Sequence, residues 1–126
     1  MSFETTLQSI VDECGGGYSA ALMGLDGIPI SQVRSTREES PSDPLDGDVS
    51  VAGIEFGRIF AEMAKASDAL GTGGVRESVI LLDRVSLVFH AIEDDIVLVL
   101  ALRPDGNLGK ARYLIRRNLM AIRADL

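Results

Sequence analysis

Apolar residues recur with the period of a helix in three segments of the chain and form short continuous runs in five others. In each helical segment, residues three or four apart line one face, as Phe3, Leu7 and Ile10 do in the first. The second segment follows Asp48 and the third follows Asn107, whose side chains can accept hydrogen bonds from the free amides of a first helical turn. The pattern predicts helices over residues 3–14, 49–70 and 108–124.

The short apolar runs have the length of β-strands. The first two flank Asp26 and Gly27, a sequence typical of a tight hairpin turn because glycine adopts a positive φ without steric cost. Pro29 cannot donate a ladder hydrogen bond, which places the second strand at a sheet edge. The last run is apolar at every position, as in a central strand covered on both faces. The predicted strands cover residues 18–23, 28–33, 75–82, 85–92 and 96–102.

The order of elements is therefore helix, hairpin, helix, three-stranded meander, helix. This order is typical of an α+β domain with an antiparallel sheet and helices on both faces. The 126 residues suffice for one domain, which we expect to span 1–126. The polar segment 34–48 contains two prolines and is predicted to be a flexible loop.

Charge is distributed unevenly along the chain. Residues 1–100 hold 6 basic and 17 acidic side chains, whereas residues 101–126 hold 6 basic and 2 acidic ones, for a net charge of −7. The acidic body disfavours nucleic acid as a partner. The basic last segment either balances that body and favours a helix C-terminus or contacts an acidic partner. The absence of a long apolar run and of a signal-like N-terminus predicts a cytoplasmic protein.

Residues that could carry catalysis are isolated from one another in the sequence. Asp26 is interpreted as a turn residue, and His90, the only histidine, as a partly buried structural residue. Because Cys14 is the only cysteine, an internal disulfide is excluded. Its acidic neighbours disfavour a reactive thiolate. The glycine clusters at 15–17 and 71–74 follow predicted helices and lack the Lys-Ser or Lys-Thr pair of a phosphate loop. We therefore expect no enzyme activity, no cofactor and no metal site.

Two features indicate a surface for another protein instead. The second helix carries small residues about four apart, which allow another backbone to approach closely. The strand at 75–82 is polar in its first half and apolar in its second. An edge strand of this kind is prone to aggregation unless another strand pairs with it. The small residues also suit packing against the chain's own sheet, and both interpretations remain open. The predicted dimer-interface residues are Gly53, Gly57, Ala61, Ala64, Val79, Ile80 and Leu81.

Three segments in order resemble the Roadblock/dynein light chain family. They are ALMGLDGIPI in the hairpin, VILLDRVSLVFHAIEDDIVLVLAL in the meander and RPDGNLGKARYLIRR at the last helix. The resemblance spans essentially the whole chain. It implies a five-stranded antiparallel sheet in the order 2-1-5-4-3, with one long helix on one face and two on the other. It also implies homodimers or heterodimers joined through the second helix and the third strand.

Members of this family generally lack catalytic sites and present the paired second helices to Ras-like GTPases or other proteins. The opening MSFETTLQSIV and the closing DGNLGKARYLIRR resemble its bacterial MglB/MglC branch, and MglC more closely. The resemblance thus implies a homodimeric adaptor in an MglA-type polarity or motility system. Its partners are expected to be a Ras-like small GTPase, an MglB-like Roadblock protein, or both.

Two other functions remain as alternatives. The first is an MglB-like GTPase activator. Arg58 is the only arginine that the second helix could insert into the active site of a bound GTPase. Its spacing from Glu55 and Glu62 favours surface ion pairs and a contact role instead. A small-molecule sensor is the second, and it is disfavoured because the strands lack a polar cluster to orient a ligand. The predicted partner-binding surface consists of Glu55, Arg58, Glu62 and Lys65.

Overall fold

The computed structural model describes residues 2–36 and 48–126, and its elements follow the predicted order. Residues 37–47, most of the predicted loop, lie outside the described residues. The helices are α1 (Phe3–Glu13), α2 (Val49–Ala69) and α3 (Leu108–Ala124). The strands are β1 (Gly17–Gly24), β2 (Pro29–Arg34), β3 (Glu77–Leu81), β4 (Ser86–Glu93) and β5 (Ile96–Leu102).

The five strands form one antiparallel sheet in the order β2-β1-β5-β4-β3. The apolar strand β5 lies at its centre and is buried along nearly its whole length, as its unbroken apolar run predicts. The strand that contains Pro29 forms one edge, where its missing amide costs no ladder bond. The predicted α+β class and strand order are confirmed, and β3 forms the opposite edge.

The helices cover the two faces of the sheet unequally. Alternate residues of β1, β4 and β5 pack with α1 and α3 on one face, around Leu7 and Ile115. On the other face α2 packs alone, and Phe60 stacks on Phe89 of β4 with ring centroids 6.1 Å apart. This confirms the predicted layers, with one long helix on one face and two on the other.

The predicted helix caps are present. Asn107 Oδ1 accepts a hydrogen bond from the Lys110 amide at 3.0 Å, and Asp48 Oδ1 accepts one from the Ser50 amide at 3.1 Å. The Asp48 carboxylate also accepts from the Ser50 hydroxyl and from Gln32 Nε2 of β2. The hydrogen bond from the Ser50 side chain, followed by that from Gln32, lowers the pKa of Asp48 below its ordinary value.

Two boundaries of the apolar pattern differ from the prediction. β3 begins at Glu77 rather than at Val75. The helical spacing of α2 predicts an apolar face of Ala52, Phe56, Ile59, Phe60, Met63 and Leu70, but Ile59 and Leu70 are 52% and 76% exposed. Helical periodicity locates the centre of an apolar stripe but not its width, so residues at the margin of the stripe are misjudged.

Among the described residues, no helix is both long and apolar enough to cross a membrane.

Candidate protein-interaction surface

Strand β3 is the apolar edge of the sheet. Within the described residues it pairs with β4 alone, so the other side of its backbone has no strand partner. Ile80 packs with the α2-side core and Val79 with the core on the other face, both only partly buried. Leu81 is 69% exposed and Leu82 is 40% exposed. An edge of this kind is a ready template for pairing with another chain.

The small residues of α2 divide between two environments. Gly53 faces the chain's own sheet, because a Cβ added there would overlap the Met23 sulfur of β1. At Gly57 a Cβ would meet no atom within 4 Å outside its own helix backbone and chain neighbours. Ala61 and Ala64 are half-buried. Gly53 is therefore explained by packing within the protomer, whereas Gly57 leaves room beside the helix.

The predicted β3 residues divide between the two faces of the sheet. Ile80 belongs to the apolar cluster on the α2 side, together with Phe56 and Met63 of α2. Val79 pairs with Val88, which belongs to the opposite face, and Leu81 shares that face because side chains alternate along a strand. An interface built on β3 would thus bury apolar side chains from both faces of the sheet.

The four residues of the predicted partner-binding surface are all exposed on α2. Lys65 Nζ lies 3.3 Å from Glu62 Oε1, and both side chains are about three-quarters exposed. The expected ion pairs of Arg58 are wrong: within the described residues Arg58 makes none, and Glu62 pairs with Lys65. An exposed glutamate has several cations within reach, and sequence spacing alone does not choose among them.

An ionic cluster behind β3 is centred on the nearly buried carboxylate of Glu77, a residue that the sequence pattern did not single out. Glu77, whose side chain is 12% exposed, accepts a hydrogen bond from Arg112 Nε of α3 at 2.5 Å. Its second oxygen, Oε2, lies 3.7 Å from His90 Nε2 and 4.0 Å from Arg116 Nε, and accepts no hydrogen bond within the described residues. The cluster fastens the N-terminal end of β3 to α3.

The only sequence signal for this cluster is weak. Arg112 and Arg116 are four residues apart, so they share one side of α3, but their partner lies 35 residues earlier on an edge strand. His90 is buried and its Nδ1 contacts the Ala91 carbonyl at 3.1 Å, in keeping with the structural role expected of it.

The remaining candidates for chemistry have structural roles. Asp26 is exposed at the hairpin tip, where its Oδ1 accepts from the Ile28 amide at 3.1 Å, and Gly27 has a φ of 90°. Cys14 is buried, with its thiol donating to the Val11 carbonyl. In the parts of the chain that the structure describes, no three metal-binding side chains come together.

Comparisons with known proteins place this fold among solved structures. No family model matches the chain, and no curated protein sequence matches it. MglC from Myxococcus xanthus is 32% identical, with full coverage of both chains and a TM-score of 0.69. A Roadblock/LC7 domain from Streptomyces avermitilis is 16% identical over 98% of this chain and 97% of its own, with a TM-score of 0.78. The gliding protein MglB from Thermus thermophilus is 20% identical over 96% of this chain and 85% of its own, with a TM-score of 0.77.

The second and third of these similarities establish the fold. The first extends at 32% identity over the whole length of both proteins. Together with the strand order β2-β1-β5-β4-β3 and the lone long helix α2 on one face, it identifies the relationship. The chain belongs to the Roadblock/LC7 family, on its MglC-like branch.

Proposed function

We propose that the protein is a non-catalytic, cytoplasmic, dimeric adaptor in a gliding or polarity system controlled by an MglA-type Ras-like GTPase. The observation that carries the proposal is the apolar edge strand β3 beside α2, together with the full-length similarity to MglC. The similarity to MglB, which is a gliding protein, supports the same system.

Dimerisation through β3 and α2 explains the edge. Pairing of two β3 strands around a two-fold axis would satisfy their outward N–H and C=O groups and cover Leu81. The space beside Gly57 would admit the partner's α2, with Ala61 and Ala64 next to it. Gly53 would contribute indirectly, by seating α2 on its own sheet.

The exposed charged side of α2 would then be the platform for the GTPase or for an MglB-like Roadblock protein. Glu55, Arg58, Glu62 and Lys65 are all solvent-exposed and mixed in charge. Surfaces of this kind contribute to specificity and to the association rate more than to raw affinity. We expect Arg58→Ala to weaken partner binding by less than about 1 kcal/mol.

A second function, GTPase activation, is favoured by one observation. Arg58 is exposed and forms no ion pair within the described residues, so its guanidinium is available to a bound partner. An arginine supplied in trans can raise GTP hydrolysis by about 10³–10⁵-fold. The lower identity to MglB, 20% against 32% for MglC, supports the adaptor role over this one.

The deciding experiment is single-turnover GTP hydrolysis by the MglA-type GTPase of the same organism, with this protein in excess. The adaptor role predicts little stimulation and measurable binding to the GTPase or to the MglB-like protein. A large stimulation that Arg58→Ala removes at saturating concentration, and that Arg117→Ala on α3 leaves intact, would establish activation instead. Failure to bind either purified protein would refute the adaptor role.

A further inference from the structure

An open cleft lies between α3 and the end of β4, on the side of the sheet where β3 begins. β4 runs past the start of β3, since Glu77 pairs with His90 while β4 continues to Glu93. The cleft has a volume of about 1140 Å³. It is open to both faces of the sheet: Ile92, Ile96 and Leu119 line it on the α3 side, and Phe60, Ala64 and Val97 on the α2 side. Its charged lining consists of Arg76, Arg112, Arg116, Arg123, Glu77, Glu93 and Asp94.

The helix that forms one wall of this cleft carries charge of a single sign. Between Leu108 and Ala124, α3 has five cationic side chains and no carboxylate. The 12 basic and 19 acidic residues of the whole chain leave 7 basic and 19 acidic residues outside α3, a net charge of −12 there. The cleft is therefore lined by a cationic helix on an otherwise acidic protein.

Two of its arginines are held in place by the protein. Arg123 Nε donates to the Ile92 carbonyl of β4 at 2.7 Å, and Arg112 Nε donates to Glu77. Both bonds use the Nε–H, and in the described part of the chain the terminal amino groups of these guanidiniums make no hydrogen bond. Arg116 stands between them, 60% exposed and 4.0 Å from Glu77. Fixed guanidiniums with free terminal donors are suited to bind carboxylates in a bidentate manner.

Glu77, which also lines the cleft, already pairs with Arg112 and shows that a carboxylate fits against this side of α3. Glu93 and Asp94 also line the cleft, next to the Ile92 carbonyl that Arg123 bonds, and oppose an incoming anion there. The favourable position is therefore at Arg116, between Arg112 and Arg123. The cleft also has an apolar surface, which an inorganic anion cannot use. A peptide in which acidic side chains alternate with apolar ones fits it better.

We propose that this cleft binds an acidic segment of a partner protein, with its carboxylates on Arg116 and the neighbouring arginines and its apolar side chains on Leu119 and Ile96. The cleft adjoins the start of β3 and reaches Ala64 of α2, so a dimer formed through β3 and α2 would border it. The inference goes beyond the proposed function, because its occupant is an acidic segment and not a second copy of this chain or a GTPase. The arginines of α3 thus form a polar cluster beside the cleft, although the strands themselves carry none.

The probe is a short fluorescein-labelled peptide that alternates two glutamates with one leucine, followed by fluorescence anisotropy at physiological ionic strength. The control peptide carries glutamine in place of every glutamate. We expect the acidic peptide to bind and the neutral one not to bind. Arg116→Gln should weaken binding about tenfold, the loss typical of one charge-assisted hydrogen bond.

Arg117→Gln is the matched control, because it removes the same charge from the next residue of the same exposed helix and does not line the cleft. We expect it to change the affinity less than twofold or so, by long-range electrostatics alone. Circular dichroism of both variants checks that they are folded. Equal losses in the two variants, or equal binding of the two peptides, would overturn the proposal.

A third measurement separates carboxylates from phosphate. Inorganic phosphate is added at constant ionic strength while the Nε–Hε resonances of Arg112, Arg116 and Arg123 are followed by NMR. The proposal expects these resonances to shift with the acidic peptide and not with phosphate. Displacement of the peptide by stoichiometric phosphate would show a phosphate site and contradict the acidic-segment assignment.

Discussion

The two edges of the sheet are built differently. β2 carries Pro29 and has three polar residues among its six, and its end is bonded to Gln8 of α1, whose side-chain amide donates to the Arg34 carbonyl at 2.6 Å. β3 carries the apolar run Val79–Leu81 with an exposed leucine at its end. Its tie to the rest of the protomer is the ionic cluster at Glu77. Both edges expose apolar side chains, but Pro29 interrupts the amides of β2, whereas β3 contains no proline and is the edge that we propose pairs with a partner.

The largest effect is expected when a charge is introduced at the exposed end of β3. Leu81→Glu would place a charge in the proposed interface of both protomers and weaken dimerisation by roughly a hundredfold or more, about 3 kcal/mol. Ile30→Glu is the matched control, because Ile30 is an exposed isoleucine on the opposite edge strand, 43% accessible. Sedimentation equilibrium should show a monomer for the first and an unchanged dimer for the second. The reverse pattern would assign the interface to β2.

The tie behind β3 is tested by removing one charge. Glu77→Gln leaves the Arg112 and Arg116 cations without their carboxylate, which we expect to lower the free energy of unfolding by about 2 kcal/mol. This value is below that of a fully buried pair because Arg112 is 39% exposed. Glu62→Gln removes a solvated pair and should change stability by less than about 0.5 kcal/mol.

Urea denaturation in the Leu81→Glu background measures these two variants without a contribution from dimerisation. Similar small changes for both would show that the Glu77 cluster does not hold the β3 edge in place.

The two glycines of α2 separate packing within the protomer from space left for a partner. In the same monomeric background, Gly57→Ala should raise the free energy of unfolding by up to about 1 kcal/mol through helix propensity. Gly53→Ala should lower it by about 1 kcal/mol, because the added methyl group displaces the Met23 sulfur in the core. Denaturation midpoints give both values. Stabilisation by Gly53→Ala would mean that Met23 repacks freely.

The smallest effect concerns the β2 side, where Gln32 and Ser50 bond the Asp48 carboxylate. Because its pKa is lowered in the folded state, the unfolded chain binds a proton at this residue first as the pH falls. The stability that Asp48 contributes is therefore complete above its ordinary pKa and is lost as the pH falls through the folded pKa. Asp48→Asn removes this dependence.

Unfolding of wild type and of this variant, followed from about pH 5 to about pH 3, tests the sign. The stability difference in favour of wild type should shrink on acidification. A difference that grows on acidification would contradict the assignment.

The sequence predicted what depends on local pattern. Asp26-Gly27 gave the hairpin, Asp48 and Asn107 gave the caps, and the unbroken apolar run of β5 gave the centre of the sheet. The strand order and the placement of the helices on the two faces were implied by the resemblance of the three segments.

What the sequence did not predict depends on contacts between distant residues. Glu77 and Arg112 are 35 positions apart, and neither the strand pattern nor the helix pattern links them. Arg58 stands at the right spacing from Glu62, yet Glu62 pairs with Lys65. Gly53 and Gly57 share one spacing rule, but only the three-dimensional position of Met23 distinguishes them. Strand register and competition between side chains determine which of these contacts form. Both depend on the three-dimensional fold and cannot be read from the spacing of residues in one sequence.

The central claim is that the β3 edge is completed by a second copy of the chain. The most direct test is the mass of the wild-type protein by light scattering at micromolar concentration. The account predicts twice the protomer mass of 13.5 kDa. A stable species of 13.5 kDa at that concentration would contradict it.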